Sequence, residues 1–140
     1  MDNSLTKEER LNSKLIIDQL FAGGNASMAA FPLRIVYMKV DKATDCRLRN
    51  AQGPARELPP VSIMVSVPKR RFHHAVDRNR MKRLVREAYR INKHVLWRAL
   101  ADKDYRLVIA FVSLADSLPS YRTVEKSVRK ALARVAERVD

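Results

Sequence analysis

Between Lys69 and Arg90 the chain sets nine cationic side chains (Lys69, Arg70, Arg71, Arg78, Arg80, Lys82, Arg83, Arg86, Arg90) against two acids, Asp77 and Glu87. Such residues suit phosphate binding. A guanidinium forks onto two phosphate oxygens or stacks on a base, and an ammonium supplies a compact charge. Asn79, between Arg78 and Arg80, adds a neutral donor and acceptor. Bond-cutting chemistry has no comparable cluster. His73 and His74 are adjacent and point apart on an extended chain, His94 lies far along, and no Cys-x-x-Cys or His-x-x-x-His spacing occurs. Asp102, Asp104 and Asp116 flank one apolar run without the grouping a metal-dependent nuclease needs. There is no Gly-rich phosphate loop and no Ser–His–Asp pattern. These residues predict a binding protein with no catalytic residue and no metal site of its own.

The elements that must position the cations are legible in the spacing. From Asp77, an N-cap candidate, to about Trp97 no Gly or Pro interrupts the chain, which predicts a helix over 77–97. At 100° per residue Met81, Leu84, Val85, Ala88, Ile91 and Val95 gather on one face, the expected core face. Arg78, Asn79, Lys82, Arg83, Arg86, Arg90 and Lys93 gather on the other. Arg78, Lys82, Arg86 and Arg90 are successive i,i+4 neighbours, an arrangement that repels itself by a few tenths of a kcal/mol per pair unless an anion is present. A solvated face would alternate its signs.

The whole chain has 140 residues, 46% hydrophobic content and a formal net charge of +13. That length predicts one domain, 1–140, and that charge predicts a polyanionic partner, nucleic acid rather than an acidic membrane surface. No second short helix precedes the basic one at a tight turn, which argues against a helix-turn-helix DNA reader. A lone Cys46 and an N-terminus without an apolar leader predict a cytoplasmic protein.

Thr6 with Glu9 resembles a capping box and opens a predicted helix over 6–22, with Leu11, Leu15, Asp18 and Ala22 along one side, Leu20, Ile16 and Phe21 nearby, and Gly23-Gly24 ending it. Residues 33–40 predict a strand with Leu33, Ile35, Tyr37 and Lys39 on one face and Arg34, Val36, Met38 and Val40 on the other. Residues 41–59 predict a long flexible loop, 61–67 a second strand closed by Pro68, and 105–112 a buried central strand. Ser120 begins a last helix over 120–138 with Val124, Val128, Ala131, Leu132 and Val135 inward. The order α-β-β-α-β-α, with room for one more short strand, predicts an α+β fold, a two-layer α/β sandwich.

The run Arg78-Asn79-Arg80, followed by Lys82-Arg83 and Arg86-Glu87, resembles the signature of the protein subunit of bacterial ribonuclease P. The strand ending Val67-Pro68-Lys69-Arg70 supplies the expected preceding context, although Phe72, His73 and His74 stand where many members carry Gly. The resemblance implies the ribosomal protein S5 domain 2-like fold, with a left-handed β-α-β crossover through the basic helix. It implies that an RNA subunit does the chemistry with magnesium ions, removing the 5′ leader of precursor tRNA as an endonuclease. Lys69, Arg70, Arg71, Arg78, Asn79, Arg80, Lys82, Arg83, Arg86 and Arg90 are then the RNA-binding set. Phe21, matching the second of two aromatics in the family's first helix (Ile17 replaces the first), and Tyr37 are expected to line a leader-binding cleft. A generic structured-RNA-binding or ribosomal-type protein is the alternative, and a self-sufficient nuclease a third reading.

Overall fold

The apolar run after Asp104 becomes a strand buried from Arg106 through Phe111. The computed structural model describes residues 14–22, 26–41 and 59–139. In chain order its elements are α1 (Lys14–Leu20), β1 (Ala26–Ala30), β2 (Leu33–Asp41), β3 (Val61–Ser66), α2 (Ala75–Asn92), α3 (His94–Leu100), β4 (Tyr105–Ser113) and α4 (Tyr121–Glu137). The expected Thr6–Glu9 capping box, Leu11, Cys46 and nearly all of the 41–59 loop lie outside the described residues.

Four strands make one mixed sheet in the order β1-β2-β4-β3. β2 runs antiparallel to both β1 and β4, while β3 runs parallel to β4. A parallel pair needs a crossover, and α2 with α3 provides it. The sheet therefore fixes where the basic helix begins and ends. β1, the short additional strand, pairs Met28 with Ile35 and turns into β2 through Phe31 and Pro32.

Alternation along the strands sends side chains to two cores. Leu33, Ile35 and Tyr37 of β2 and Leu107, Ile109 and Phe111 of β4 meet Met81, Val85, Ala88 and Tyr89 of α2 and Val124, Val128, Leu132 and Val135 of α4. Full burial of each of the Val, Leu, Ile, Phe and Met side chains among these stabilises by roughly 1.5–3 kcal/mol. On the other face Val36, Val40, Val108 and Ala110 pack with Ile16 and Leu20 of α1. The expected two-layer sandwich is thus corrected. α1 covers part of the second face, because β4 is apolar on both of its sides. Within α1, Ile16 and Leu20 are buried while Leu15 is 58% exposed.

The basic helix departs from expectation at both ends. It starts at Ala75, with His74 in the N-cap position making no side-chain cap, and Asp77 sits in the first turn instead. There its charge favours the helix N-terminus. The helix stops at Asn92, whose Nδ2 donates to the carbonyl of Ala88 at 2.8 Å and so competes for the acceptor of its own turn. Lys93 follows, buried at 1% exposure, with Nζ 4.6 Å from the Trp97 ring centroid. Lys93 therefore does not join the cationic face. Ile91, within α2, and Val95 of α3 are 44% and 51% exposed. Tyr89 takes a core position in their place, its ring edge-on to Phe111 and its hydroxyl accepting from Trp97 Nε1 at 3.1 Å. α4 meets expectation: Ser120 Oγ accepts from the Thr123 backbone N–H, and the five predicted inward residues are all buried.

Candidate nucleic-acid interface

Three anchors hold the turn that delivers the cations. Phe72, one of the residues standing in place of Gly, is 4% exposed and sinks into the main core. Arg71 Nη1 donates to the Leu114 carbonyl and to Asp116 Oδ1, both at 3.0 Å, tying the turn to the segment after β4. Arg78 Nη1 reaches back from the first turns of α2 and donates to the carbonyls of Phe72 (2.8 Å) and His73 (3.1 Å). The bulky replacement for Gly is a hydrophobic plug, with His73 and His74 left exposed at the surface.

Arg71 and Arg78 thus have structural work in addition to their charge. Charged donors to carbonyls contribute more than neutral ones. Arg78→Ala should lower stability by about 1–3 kcal/mol. Arg78→Lys, keeping charge but losing the planar fork, should recover only part of it. Urea melts of the three proteins check this, and equal midpoints would remove the clasp from the account.

The residues most open to an RNA are Lys69 and Arg70 in the turn and Asn79, Arg80 and Arg83 on α2, all exposed. Lys82, Arg86 and Arg90 are half-buried on the same helix. Arg90 makes two hydrogen bonds to Glu87, Nη2 to Oε1 at 2.5 Å and Nε to Oε2 at 3.1 Å. These bonds hold the Glu87 carboxyl below the ordinary carboxylate range, against some desolvation and with further help from the Arg90 charge. The pair contributes stability above the unfolded-state carboxylate pKa, and the contribution is lost as pH falls through the lower folded value. Glu87→Gln should accordingly be slightly less stable than the parent at neutral pH, with the difference closing in acid. Thermal melts across the acid range would read it, and a gap that widened toward low pH would contradict it.

The structure does not bring Phe21 and Tyr37 together. Phe21 follows α1 and is 47% exposed. Tyr37 is 8% exposed within the core that faces α2 and α4, so its ring has no open face for a base. A shared Phe21–Tyr37 cleft is corrected for that reason. The α1 side of β2 carries Arg34 and Met38, in step with Val36, and Arg34 is exposed. Sequence reasoning assigned no role to Arg34 or Met38, yet the alternation of β2 already set both opposite Tyr37. Among the described residues no three His, Cys, Asp or Glu side chains gather to hold a metal ion, and no helix is long and apolar enough to cross a membrane.

The described residues form a four-stranded α+β fold whose crossover helix displays exposed Asn79, Arg80 and Arg83. The family model described as Ribonuclease P matches residues 5–136. The chain is 43% identical over 135 residues to the ribonuclease P protein component of Porphyromonas gingivalis W83, across 96% of this chain and 88% of that protein. It is 33% identical over 138 residues to the component of Chlorobaculum tepidum, across 93% and 81% of the two chains. The structure of the Staphylococcus aureus RNase P protein shares the fold, with a TM-score of 0.62 at 14% identity over 94% of this chain and 98% of that one. The chain belongs to the bacterial ribonuclease P protein component family. It is a component of an endoribonuclease holoenzyme of tRNA processing, and membership implies ribonuclease P RNA as its partner.

Proposed function

We propose that this chain binds ribonuclease P RNA through the α2 face and its preceding turn and guides the 5′ leader of precursor tRNA, while the RNA does the cutting. The observation that carries this reading is the exposed set Lys69, Arg70, Asn79, Arg80 and Arg83, displayed on a turn and helix pinned by Phe72 and Arg78. A pinned display matters because phosphate contacts made by pre-placed side chains avoid part of the ordering entropy of binding. Arg71, Lys82, Arg86 and Arg90 widen the positive field around that set. The magnesium ions belong to the RNA in this reading. They would activate the water that attacks the phosphodiester, and the protein's charge would support their retention. Family resemblance further assigns the crossover through α2 the left-handed sense of the ribosomal protein S5 domain 2-like fold, and the protein a cytoplasmic place with no membrane or DNA partner.

The leader path follows from the corrected cleft. In this reading a single strand would run along the α1 side of the sheet, where Arg34 of β2 is exposed, and reach Phe21, exposed just after α1. Stacking on an aromatic is worth roughly 1–3 kcal/mol per base. Phe21→Ala should therefore weaken binding of a leader-bearing precursor to the reconstituted holoenzyme by about tenfold. Affinity for mature tRNA should be unchanged. Equal losses for both RNAs, or no loss for either, would take the leader off this face.

A further inference from the structure

The basic helix is not the only cationic row. On α4, Arg122, Lys126, Lys130 and Arg134, followed by Arg138 just past its end, are successive i,i+4 neighbours, and all five are exposed. At 1.5 Å rise and 3.6 residues per turn they fall about 6 Å apart over roughly 24 Å of the helix axis, on a ridge that turns by about 40° at each step. We infer that this outer face of α4 is a second RNA-contacting surface, and that its occupant is the phosphate backbone of a base-paired segment of ribonuclease P RNA.

Two cations of the row have a purely structural explanation. Arg134 and Arg138 lie at the C-terminal end of α4, where positive charge complements the helix dipole. Arg122 and Lys126 do not. The first turn of α4 contains no acid and does contain Arg122, so the N-terminal end carries the sign that the dipole disfavours. Each i,i+4 step adds like-charge repulsion. The one acid in the N-terminal half of the helix, Glu125, is engaged by Arg129 at 3.7 Å and by Asn92 of α2 at 3.3 Å. A face arranged only for stability or solubility would interleave acids along this row. Charge complementarity therefore requires an extended anion. An aromatic-free ridge of evenly spaced single charges fits the regular backbone of a duplex, whereas a single-stranded segment is gripped by aromatic side chains for its bases. The exposed cations of the row stand with no aromatic among them; the one aromatic of α4, Tyr121, is half-buried against the core. The choice of partner rests on the subunit reading above.

The test is the salt dependence of binding to ribonuclease P RNA for the parent and for Arg122→Ala/Lys126→Ala. The double variant should show a slope of log affinity against log salt shallower by somewhat under two units, and affinity lower on the order of tenfold at moderate salt. Its melting temperature should equal or exceed the parent's, because charges opposed to the helix dipole have been removed. Lys126→Ala/Lys130→Ala should repeat the slope change from the middle of the row. An unchanged slope in both variants, with parent binding intact, overturns the second surface and leaves the subunit reading standing. Failure of the parent itself to bind this RNA is the separate outcome that removes the subunit reading, and the inference with it. A slope change that appears only when precursor tRNA is added to the assembled complex also overturns the inference, since the row would then belong to the substrate.

Discussion

Val85→Asp is expected to leave no folded protein at 25 °C. Val85 is 0% exposed, enclosed where α2 meets the sheet, and a carboxylate there would lose its water without gaining a partner. The penalty is several kcal/mol, whether the group stays charged or is forced to protonate. A domain of this size has only about 5–15 kcal/mol of total stability, and the lost valine contributed part of it. Ile91→Asp and Val95→Asp provide the contrast. Helical periodicity puts both with Val85, yet they are 44% and 51% exposed. Both variants should fold with melting temperatures within a few degrees of the parent. Circular dichroism melts of the three distinguish the observed core from a continuous helix to Trp97, in which all three would unfold alike.

Arg80→Glu with Arg83→Glu is expected to have the larger functional effect while leaving the fold intact. Both side chains are exposed, and among the described residues no hydrogen bond such as those of Arg71 or Arg78 ties them to the chain. Reversal removes two favourable contacts and adds repulsion against phosphate. Charged hydrogen bonds contribute about 1.5–3 kcal/mol each, so two of them amount to a loss on the order of a hundredfold or more in RNA affinity. The melting temperature should hold. Electrophoretic or fluorescence titration against ribonuclease P RNA checks it, and near-parent affinity would move the RNA surface away from α2.

What could be read from the residues was whatever local pattern alone decides. The run 107–112, apolar throughout and short, reads as a buried strand, and Ser120 with its i, i+3, i+4 apolar stripe reads as the start of an amphipathic helix; both appear within a residue or so of expectation. The break in the basic helix was not legible in the same way. No Gly or Pro marks it; Asn92 there reaches Glu125 of α4, a partner that only the fold brings near, and Lys93 is buried beside it. Tyr37 lies between these cases. Its place beside Leu33 and Ile35 is a core signature, but an aromatic on a basic protein invites a stacking role, and composition alone does not rank the two. Arg71 and Arg78 were grouped by charge with their neighbours. Their ties to Leu114, Asp116 and the Phe72–His73 turn separate them, and those ties span partners that only the fold brings near.

The central claim is that this chain enables a processing reaction whose chemistry belongs to an RNA. Its most direct test is 5′-leader cleavage of a precursor tRNA at low magnesium, with ribonuclease P RNA alone, with this protein alone, and with both together. The account predicts efficient cleavage only in the combined reaction. Cleavage by the protein alone would contradict it. So would binding to a competent RNA with no gain in processing, which is the behaviour of a generic structured-RNA binder.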